Sequence, residues 1–336
     1  MKIQSVLIFA SIVLLASCKK KIFEPEPLNN PEALFEELWG TFNTDYACFE
    51  ERGVDWKEQY SIYRPQVTSN TTDQELFAIF KSMLGKLKDG HVQMATPLEE
   101  NVFFADSLYD LMLEDDLFDL EIIKSNYLNN EYLENGYGGN TYGKIGDVGY
   151  LYIEYIGDNL LSINEVLDYF SSSQGLIVDL RHNYGGNFTY AFSEFGRFTN
   201  EERFVFRSKT KSGPGPDDYT DWYNWSVYPE GDFFDKPVVL LTDRYTGSAA
   251  DRTTMLFKTL PNVTHVGDTT NGNYGTKIAK ELINGWYYTL VTQKIEFMDG
   301  LSYEGIGMSP DIYSKNLLSE MQMGQDNTLE TAISLF

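Results

Sequence analysis

The chain has 336 residues, enough to bury a substantial core in one or two domains. Hydrophobic residues make up 42% of the sequence and aromatic residues 15%, which excludes an intrinsically disordered chain. The formal net charge is −24, which disfavours nucleic acid as a partner and only weakly suggests basic substrates. The two cysteines, Cys18 and Cys48, are too few for a zinc site built on thiolates.

Residues 1–17 have the features of an export signal. Lys2 precedes an apolar run that is too short to span a bilayer comfortably, and the run ends in Leu15-Ala16-Ser17-Cys18. This ending resembles a bacterial lipobox, which implies that Cys18 becomes a lipid-bearing N-terminus and that residues 18–30 form a tether. An ordinary secretory signal or a transmembrane anchor remains the alternative. The interpretation predicts a lipid-anchored protein of the cell envelope, on the periplasmic or outer-membrane face.

Residues 31–90 are predicted to form a small N-terminal helical domain. Asn30-Pro31 is a typical helix start, with a side-chain cap followed by proline in the first turn. A second helical segment covers 56–63 and is ended by Pro65, and a third begins near Thr72-Asp73 with an apolar stripe. Asp89-Gly90 then indicates a turn.

Residues 91–146 are predicted as a connecting segment. The weakly periodic stretch 98–143 favours one or two helices plus loops, and it contains the acidic run 114–116 and the glycine-rich run 136–139. From residue 147 to 336, apolar strand-like runs alternate with helices, which is typical of an α/β core with parallel strands. The predicted strands cover 148–156, 176–180, 238–241 and 263–266, and the helices cover 161–169 and 249–260. Asn284-Gly285 predicts a hairpin, Asp299-Gly300 a second turn, and Asp326-Asn327 the start of the last helix.

Ser248 is the first candidate for chemistry. It follows the buried strand 238–241 and stands at the start of a helix, where N–H groups and the helix dipole favour negative charge. The same position also suits a helix cap. The pair Gly185-Gly186, after another strand, is either a plain turn or half of an oxyanion hole.

A serine nucleophile requires a base, and the chain has three histidines. His91 lies at a loop-to-strand junction and is the candidate base. His182 lies inside the glycine motif and is expected to shape it, and His265 is expected to be structural. Glu304 lies among glycine and proline residues, where it is either a surface carboxylate or the acid that orients the histidine.

Four motifs taken together resemble the tail-specific, or C-terminal-processing, serine proteases and their tricorn-like branch. They occur in the family's order and cover roughly residues 30–335. They are Asp-Gly-His at 89–91, Asp-Leu-Arg-His-Asn-Tyr-Gly-Gly at 179–186, Ser-Ala-Ala-Asp at 248–251, and Glu-Gly-Ile-Gly-Met-Ser-Pro-Asp at 304–311.

This resemblance implies a ClpP/crotonase-like mixed α/β core of βα units with added antiparallel hairpins. It implies a serine endopeptidase acting on peptides or proteins, with no metal or organic cofactor. It assigns the roles as follows: Ser248 as nucleophile, His91 as base, Glu304 as the acid of the histidine network, and Gly185 or Gly186 with Ala249 as the oxyanion hole.

Three departures from the family pattern qualify these expectations. Asn273 stands where some relatives carry a catalytic lysine, which favours His91 as base and leaves Lys277 as the fallback base. Asp251 replaces the usual glutamate after the alanines. Residues 97–146 are too few for a PDZ domain, so selection of substrate tails by strand addition is not expected. The alternative function is a non-catalytic ligand- or peptide-binding lipoprotein on the same fold; the oligomeric state is not predicted.

Overall fold

The structure is a computed structural model that describes residues 28–97, 100–105, 117–135 and 138–336. The predicted signal, Cys18 and most of the tether therefore lie outside the described residues, as do the acidic run 114–116 and part of the glycine-rich run at 136–137. The described chain contains three β-sheets with helices packed against them. No helix in these ranges is long and apolar enough to cross a membrane.

Three capped helices begin the fold. Asn30 accepts a hydrogen bond from the Ala33 N–H, and Thr72 and Glu75 form a reciprocal capping box. These local contacts confirm the predicted helix starts, and the second helix ends before Pro65 as expected. The helices are α1 (Pro31–Asp45), α2 (Trp56–Tyr63) and α3 (Asp73–Leu84).

A seven-stranded sheet forms the main core, in the order β14-β10-β9-β6-β5-β4-β3. The strands from β14 to β5 are parallel, and β4 and β3 add antiparallel pairs at one edge. The predicted α/β core with parallel strands is therefore confirmed. The strands are β3 (Tyr132–Glu134), β4 (Asn140–Ile145), β5 (Val148–Ile153), β6 (Gly175–Asp179), β9 (Val238–Thr242), β10 (Val263–Gly267) and β14 (Ile312–Tyr313).

The prediction of helices and loops over 98–143 was wrong in part, because this stretch also contains strand β3 and most of strand β4. That stretch does contain a short helix, α4 (Leu120–Ile122), which continues into a π-helical turn at Ile123–Tyr127. The next residues, however, pair with the edge of the main sheet, because β5 offers β4 a full antiparallel register from Asn140–Ile153 to Ile145–Val148.

A four-stranded antiparallel sheet, ordered β11-β12-β1-β2, lies under the N-terminal helices. The predicted hairpin at Asn284-Gly285 is confirmed, since it joins β11 to β12 and Gly285 has a φ of 81°. Side chains of these strands share one buried cluster with α1–α3, so the helices do not have a core of their own. The strands are β1 (Gln93–Ala95), β2 (Val102–Phe104), β11 (Lys277–Glu281) and β12 (Tyr287–Val291).

A three-stranded antiparallel sheet, β13-β7-β8, and five further α-helices complete the strands and α-helices of the described residues. The Asp299-Gly300 turn and the Asp326 cap of the last helix are confirmed. The strands are β7 (Arg203–Thr210), β8 (Tyr223–Val227) and β13 (Gln293–Phe297). The helices are α5 (Ile163–Tyr169), α6 (Thr189–Glu194), α7 (Ala249–Lys258), α8 (Leu318–Met321) and α9 (Asn327–Ile333).

Candidate active site

Ser248 lies in a tight turn between β9 and α7. Its φ of 59° and ψ of −117° fall in a region that residues other than glycine rarely occupy. Backbone strain of this kind costs about 1–3 kcal/mol and is concentrated at functional sites. The turn leaves Ser248 partly exposed at the start of α7, where the helix dipole favours negative charge.

Asp251 fixes this turn. Its buried carboxylate accepts the N–H of Ser248 at 2.9 Å, of Gly272 at 3.1 Å and of Asn273 at 3.0 Å. Burial raises the pKa of Asp251 to about 6, and the hydrogen bonds that it accepts oppose the shift. Asp251, which replaces the family's glutamate, therefore connects the serine turn to the loop at 272–273 through hydrogen bonds.

Gly185 lies directly against the serine turn. A Cβ added to Gly185 would stand 2.5 Å from the Ser248 Cβ and 2.8 Å from the Ala249 nitrogen. The φ of Gly185 is also 105°, which side-chain-bearing residues rarely adopt. A glycine is therefore required here for the close approach of two backbone segments.

The two glycines differ in the use of their N–H groups. Gly185 donates its N–H to the Asn183 side chain at 2.9 Å, and its carbonyl accepts the Ile156 N–H at 2.9 Å. The Gly185 C=O and the Gly186 N–H belong to the same trans peptide and point to opposite sides of it. The Gly186 N–H therefore points away from Ile156. Within the described ranges, the N–H groups of Gly186 and Ala249 have no acceptor. Gly186 is thus the glycine with an N–H available to a ligand.

A cavity of about 250 Å³ opens beside Ser248. Its walls come from the glycine loop, the first turns of α7 and the chain leading into β11. This arrangement brings together Ser248, Gly186, Ala249 and Lys277 of the predicted site residues. The lining residues are Gly186, Asn187, Phe188, Ser248, Ala249, Arg252, Tyr274, Gly275, Thr276 and Lys277.

His91 is buried next to this cavity, with 7% of its surface exposed. The pKa of His91 is lowered to about 4, chiefly by burial and also by Lys277 and Arg252 of the cavity wall, whereas Asp89 opposes the shift. The imidazole is therefore neutral at neutral pH. Its Nδ1 has no hydrogen-bond partner, and in the part of the chain that the structure describes its ring donates no hydrogen bond to Ser248 or Glu304.

Glu304 is buried and uses both carboxylate oxygens. Oε1 accepts a hydrogen bond from Arg52 at 2.5 Å, and Oε2 accepts the N–H groups of Tyr274 at 2.9 Å and Gly275 at 3.1 Å. Burial raises the pKa of Glu304 to about 7, and Arg52 opposes the shift. Glu304 therefore holds the cavity wall at 274–275 and is not seen bonded to His91.

Arg52 connects Glu304 to the loop that carries His91. It forms an ion pair with Glu304 at 2.5 Å and with Asp89 at 3.7 Å. Asp89 in turn accepts hydrogen bonds from the main-chain N–H of His91 at 2.8 Å and from the Tyr46 hydroxyl at 2.7 Å. His91 and Glu304 are thus linked through Asp89 and Arg52, by a network that the four sequence motifs alone did not reveal.

Lys277, the fallback base, is exposed on the cavity wall at the start of β11. Burial of part of its side chain lowers the pKa of Lys277 below the usual value for lysine. Lys277 thus lines the same cavity as Ser248, whereas buried His91 is not among the lining residues.

The other histidines and Cys48 have structural roles, as expected. His182 has a φ of 57°, and its Nδ1 stands 2.6 Å from Asp243 Oδ2, so it shapes the glycine turn. His265 is buried in β10 with its Nε2 2.6 Å from the Thr242 hydroxyl. Cys48 is buried and free, and burial raises the pKa of its thiol, which makes it unreactive.

Three residues that shape the site were missed by sequence reasoning. Arg52 acts through contacts between distant segments, for which the sequence carries no local signal. Asn183 lies inside the 179–186 motif and accepts the Gly185 N–H only two residues away, a turn contact that asparagine favours. Arg252 had a signal, since it follows Ser248 by four positions and residues so spaced share one face of a helix.

A serine hydroxyl in a tight turn at a cavity that unused backbone N–H groups also line is an arrangement typical of serine acyl-transfer hydrolases. The model of peptidase family S41 matches residues 147–314, half of the chain, and the model of the Tricorn protease C1 domain matches residues 27–85. The chain therefore belongs to peptidase family S41, and the tricorn-like resemblance is confirmed.

Individual relatives agree with this assignment. The tricorn protease of Thermoplasma acidophilum is 28% identical over 193 residues, a match that covers 56% of this chain but 16% of that protein. A solved structure from Parabacteroides merdae, described as a candidate peptidase, is 28% identical with a TM-score of 0.83, over 92% of this chain and 97% of the other. Mature CPAF complexed with lactacystin shares the fold at 11% identity and a TM-score of 0.67, covering 90% and 97% of the two chains.

Proposed function

We propose that this protein is a serine endopeptidase in which Ser248 attacks the peptide carbonyl. The observation that carries the proposal is the strained turn at Ser248, which lines a cavity together with Gly186 and Ala249, whose N–H groups are unused. Those groups, from Gly186 and Ala249, would hold the oxyanion that forms when Ser248 Oγ bonds to the carbonyl carbon. A peptide or protein substrate is thereby implied, as for the family.

His91 is the base in this proposal. It would accept the Ser248 proton during attack and return it to the leaving amine as the peptide C–N bond breaks. Water would then add to the acyl-enzyme with the same proton transfers and release the acid product and free Ser248. A neutral imidazole with an unpartnered Nδ1 supports this role, which requires His91 to contact Ser248 during the reaction.

Lys277 is the alternative base, because it lines the cavity together with Ser248 and its pKa is lowered. Glu304 is proposed as a positioning residue in either case. Its contacts with Tyr274, Gly275 and Arg52 support a role in fixing the cavity wall and, through Asp89, the His91 loop.

A fluorophosphonate probe, which bonds covalently to activated serines, distinguishes this enzyme from a non-catalytic binding protein on the same fold. We expect mass spectrometry of the labelled protein to find the probe on Ser248, because the oxyanion donors stabilise its addition. Ser171→Ala, at an exposed serine whose hydroxyl has no hydrogen bond in the described structure, should label normally. Absence of labelling at Ser248 in folded protein would favour the binding protein.

The cell-envelope location is proposed from the lipobox-like Leu15-Ala16-Ser17-Cys18. Cells fed a clickable fatty acid should incorporate it into the wild-type chain and carry that chain in the membrane fraction. Cys18→Ala should abolish both, because the thiol is the predicted point of attachment, whereas Cys48→Ala should leave both unchanged. Equal fatty-acid incorporation in Cys18→Ala would refute the lipid anchor.

A further inference from the structure

The cavity beside Ser248 is positively charged although the whole chain carries a net charge of −24. The charged residues in its lining are Arg252 and Lys277, and the lining contains no aspartate or glutamate. The charged side chains that a bound group meets here are therefore cationic, although the buried carboxylates of Asp251 and Glu304 also act on Arg252. A net negative charge alone suggested basic substrates, but the group that enters this cavity meets two cations.

Arg252 is buried without a carboxylate partner. It is 2% exposed, and its guanidinium donates to neutral acceptors: the Tyr274 carbonyl at 2.6 Å, the Thr276 hydroxyl at 3.1 Å and the Gln293 side chain at 3.3 Å. Its remaining nitrogen, Nη1, is buried and has no hydrogen-bond partner among the described residues. A buried cation is costly unless it is paired, so this edge of Arg252 is an incomplete site.

Other arginines show how this chain pairs a cation that it buries. Arg181 contacts Asp179 at 2.6 Å and Asp326 at 2.8 Å. Arg52 pairs with two further carboxylates, those of Glu304 and Asp89. Arg252 instead lies over the ring of Phe188, with 4.2 Å between its guanidinium carbon and the ring centroid. Burial lowers the pKa of Arg252 to about 10, so it remains charged at neutral pH.

We propose that this cavity binds a carboxylate of the substrate and that Arg252 is the specificity-determining residue. The inference rests on the proposed endopeptidase function, since the carboxylate must be bound while Ser248 attacks. Lys277 adds a second, exposed positive charge at the mouth. The preferred substrate is then a peptide with aspartate or glutamate beside the scissile bond, or one whose own C-terminal carboxylate enters the cavity; both offer the same chemistry to Arg252.

The test uses internally quenched peptides that differ at one position beside the cleaved bond: glutamate, glutamine, leucine or lysine. Each is made with a free and with an amidated C-terminus. We expect glutamate to exceed glutamine in kcat/KM by about 10-fold or more, as for a charge-assisted hydrogen bond. A dependence on the free C-terminus instead would identify the terminal carboxylate as the ligand. Equal rates for all peptides would overturn the proposal.

Variants assign the preference to Arg252. Arg252→Gln should lose the preference of glutamate over glutamine, and Arg252→Lys should retain part of it because the charge stays. Arg207→Gln is the matched control and should keep the preference, because this partly exposed arginine pairs with Glu296 within the three-stranded sheet and does not line the cavity. A folded Arg252→Gln protein with unchanged preference would contradict the assignment.

Two further measurements keep the outcome interpretable. If Arg252→Gln does not fold, the test is inhibition of wild-type cleavage of the leucine peptide by N-acetylglutamate α-amide, which has one carboxylate, and by N-acetylglutaminamide, which has none. Only the former should inhibit, and equal inhibition would overturn the proposal. The proposed function fails separately, when no peptide is cleaved and the fluorophosphonate probe does not react with Ser248. Cleavage without a preference for carboxylates defeats this inference alone.

Discussion

Ser248→Ala is expected to lower kcat/KM for peptide cleavage by about 10⁴-fold or more, because removal of a serine nucleophile leaves only substrate binding and oxyanion stabilisation. The change deletes one oxygen at a partly exposed position. The contacts that hold the turn are made by main-chain groups, including the Ser248 N–H bonded to Asp251. The melting temperature should therefore stay close to that of the wild type. The measurement is turnover of a quenched peptide that wild-type protein cleaves, together with thermal melting.

Ser171→Ala serves as the matched control, since it removes the same atom from an exposed serine away from the cavity. It should leave both turnover and melting unchanged. Full peptidase activity in Ser248→Ala would show that another residue is the nucleophile. Loss of activity accompanied by unfolding would be uninformative about chemistry, which is why the melting curve is part of the design.

The second large effect concerns the base. His91→Gln is expected to lower kcat/KM for a neutral peptide by about 10²–10⁴-fold, the usual contribution of general base catalysis. Lys277→Met should lower it by less than about 5-fold, since in the proposal Lys277 takes no proton. A neutral peptide is required because Lys277 also contributes charge to the cavity. The reverse ranking of the two variants would make Lys277 the base.

The pH profile separates the same two residues independently. A base must be unprotonated, so activity dependent on His91 is present above the pKa of His91 and is lost as the pH falls through it. Because that pKa is lowered to about 4, protonation of His91 should reduce kcat/KM only as the pH approaches 4. With Lys277 as base, activity would still rise above pH 7. A loss of activity near pH 7 that is absent from Glu304→Gln would instead indicate titration of the Glu304 carboxyl.

Sequence reasoning located the elements whose signals are local. The caps at Asn30, Thr72 and Asp326 are confirmed because each accepts hydrogen bonds from N–H groups three residues ahead, whatever the rest of the chain does. The strands at 176–180 and 238–241 are confirmed to within one residue, since buried parallel strands are continuous apolar runs.

Strands that form only because a neighbouring strand pairs with them were not predictable from the sequence. β4 contains Asn140, Gly143 and Lys144, and no alternating pattern identifies it as a strand. It becomes one because β5 supplies a complete antiparallel partner. The site shows the same division. The strand–turn–helix setting made Ser248 a candidate nucleophile, with a helix cap as the alternative. The linkage of Glu304 to the His91 loop through Arg52, however, depends on residues far apart in sequence.

The buried core that α1–α3 share with β11 and β12 limits how this chain can be truncated. The two stretches matched by family models, 27–85 and 147–314, each supply part of that core, with Phe35 and Phe80 on one side and Trp286 and Tyr288 on the other. Expressed separately, each fragment would expose its share of this apolar core to water. Minimal versions, chimaeras and split reporters built from this protein must therefore carry both stretches, in one chain or as complementing halves.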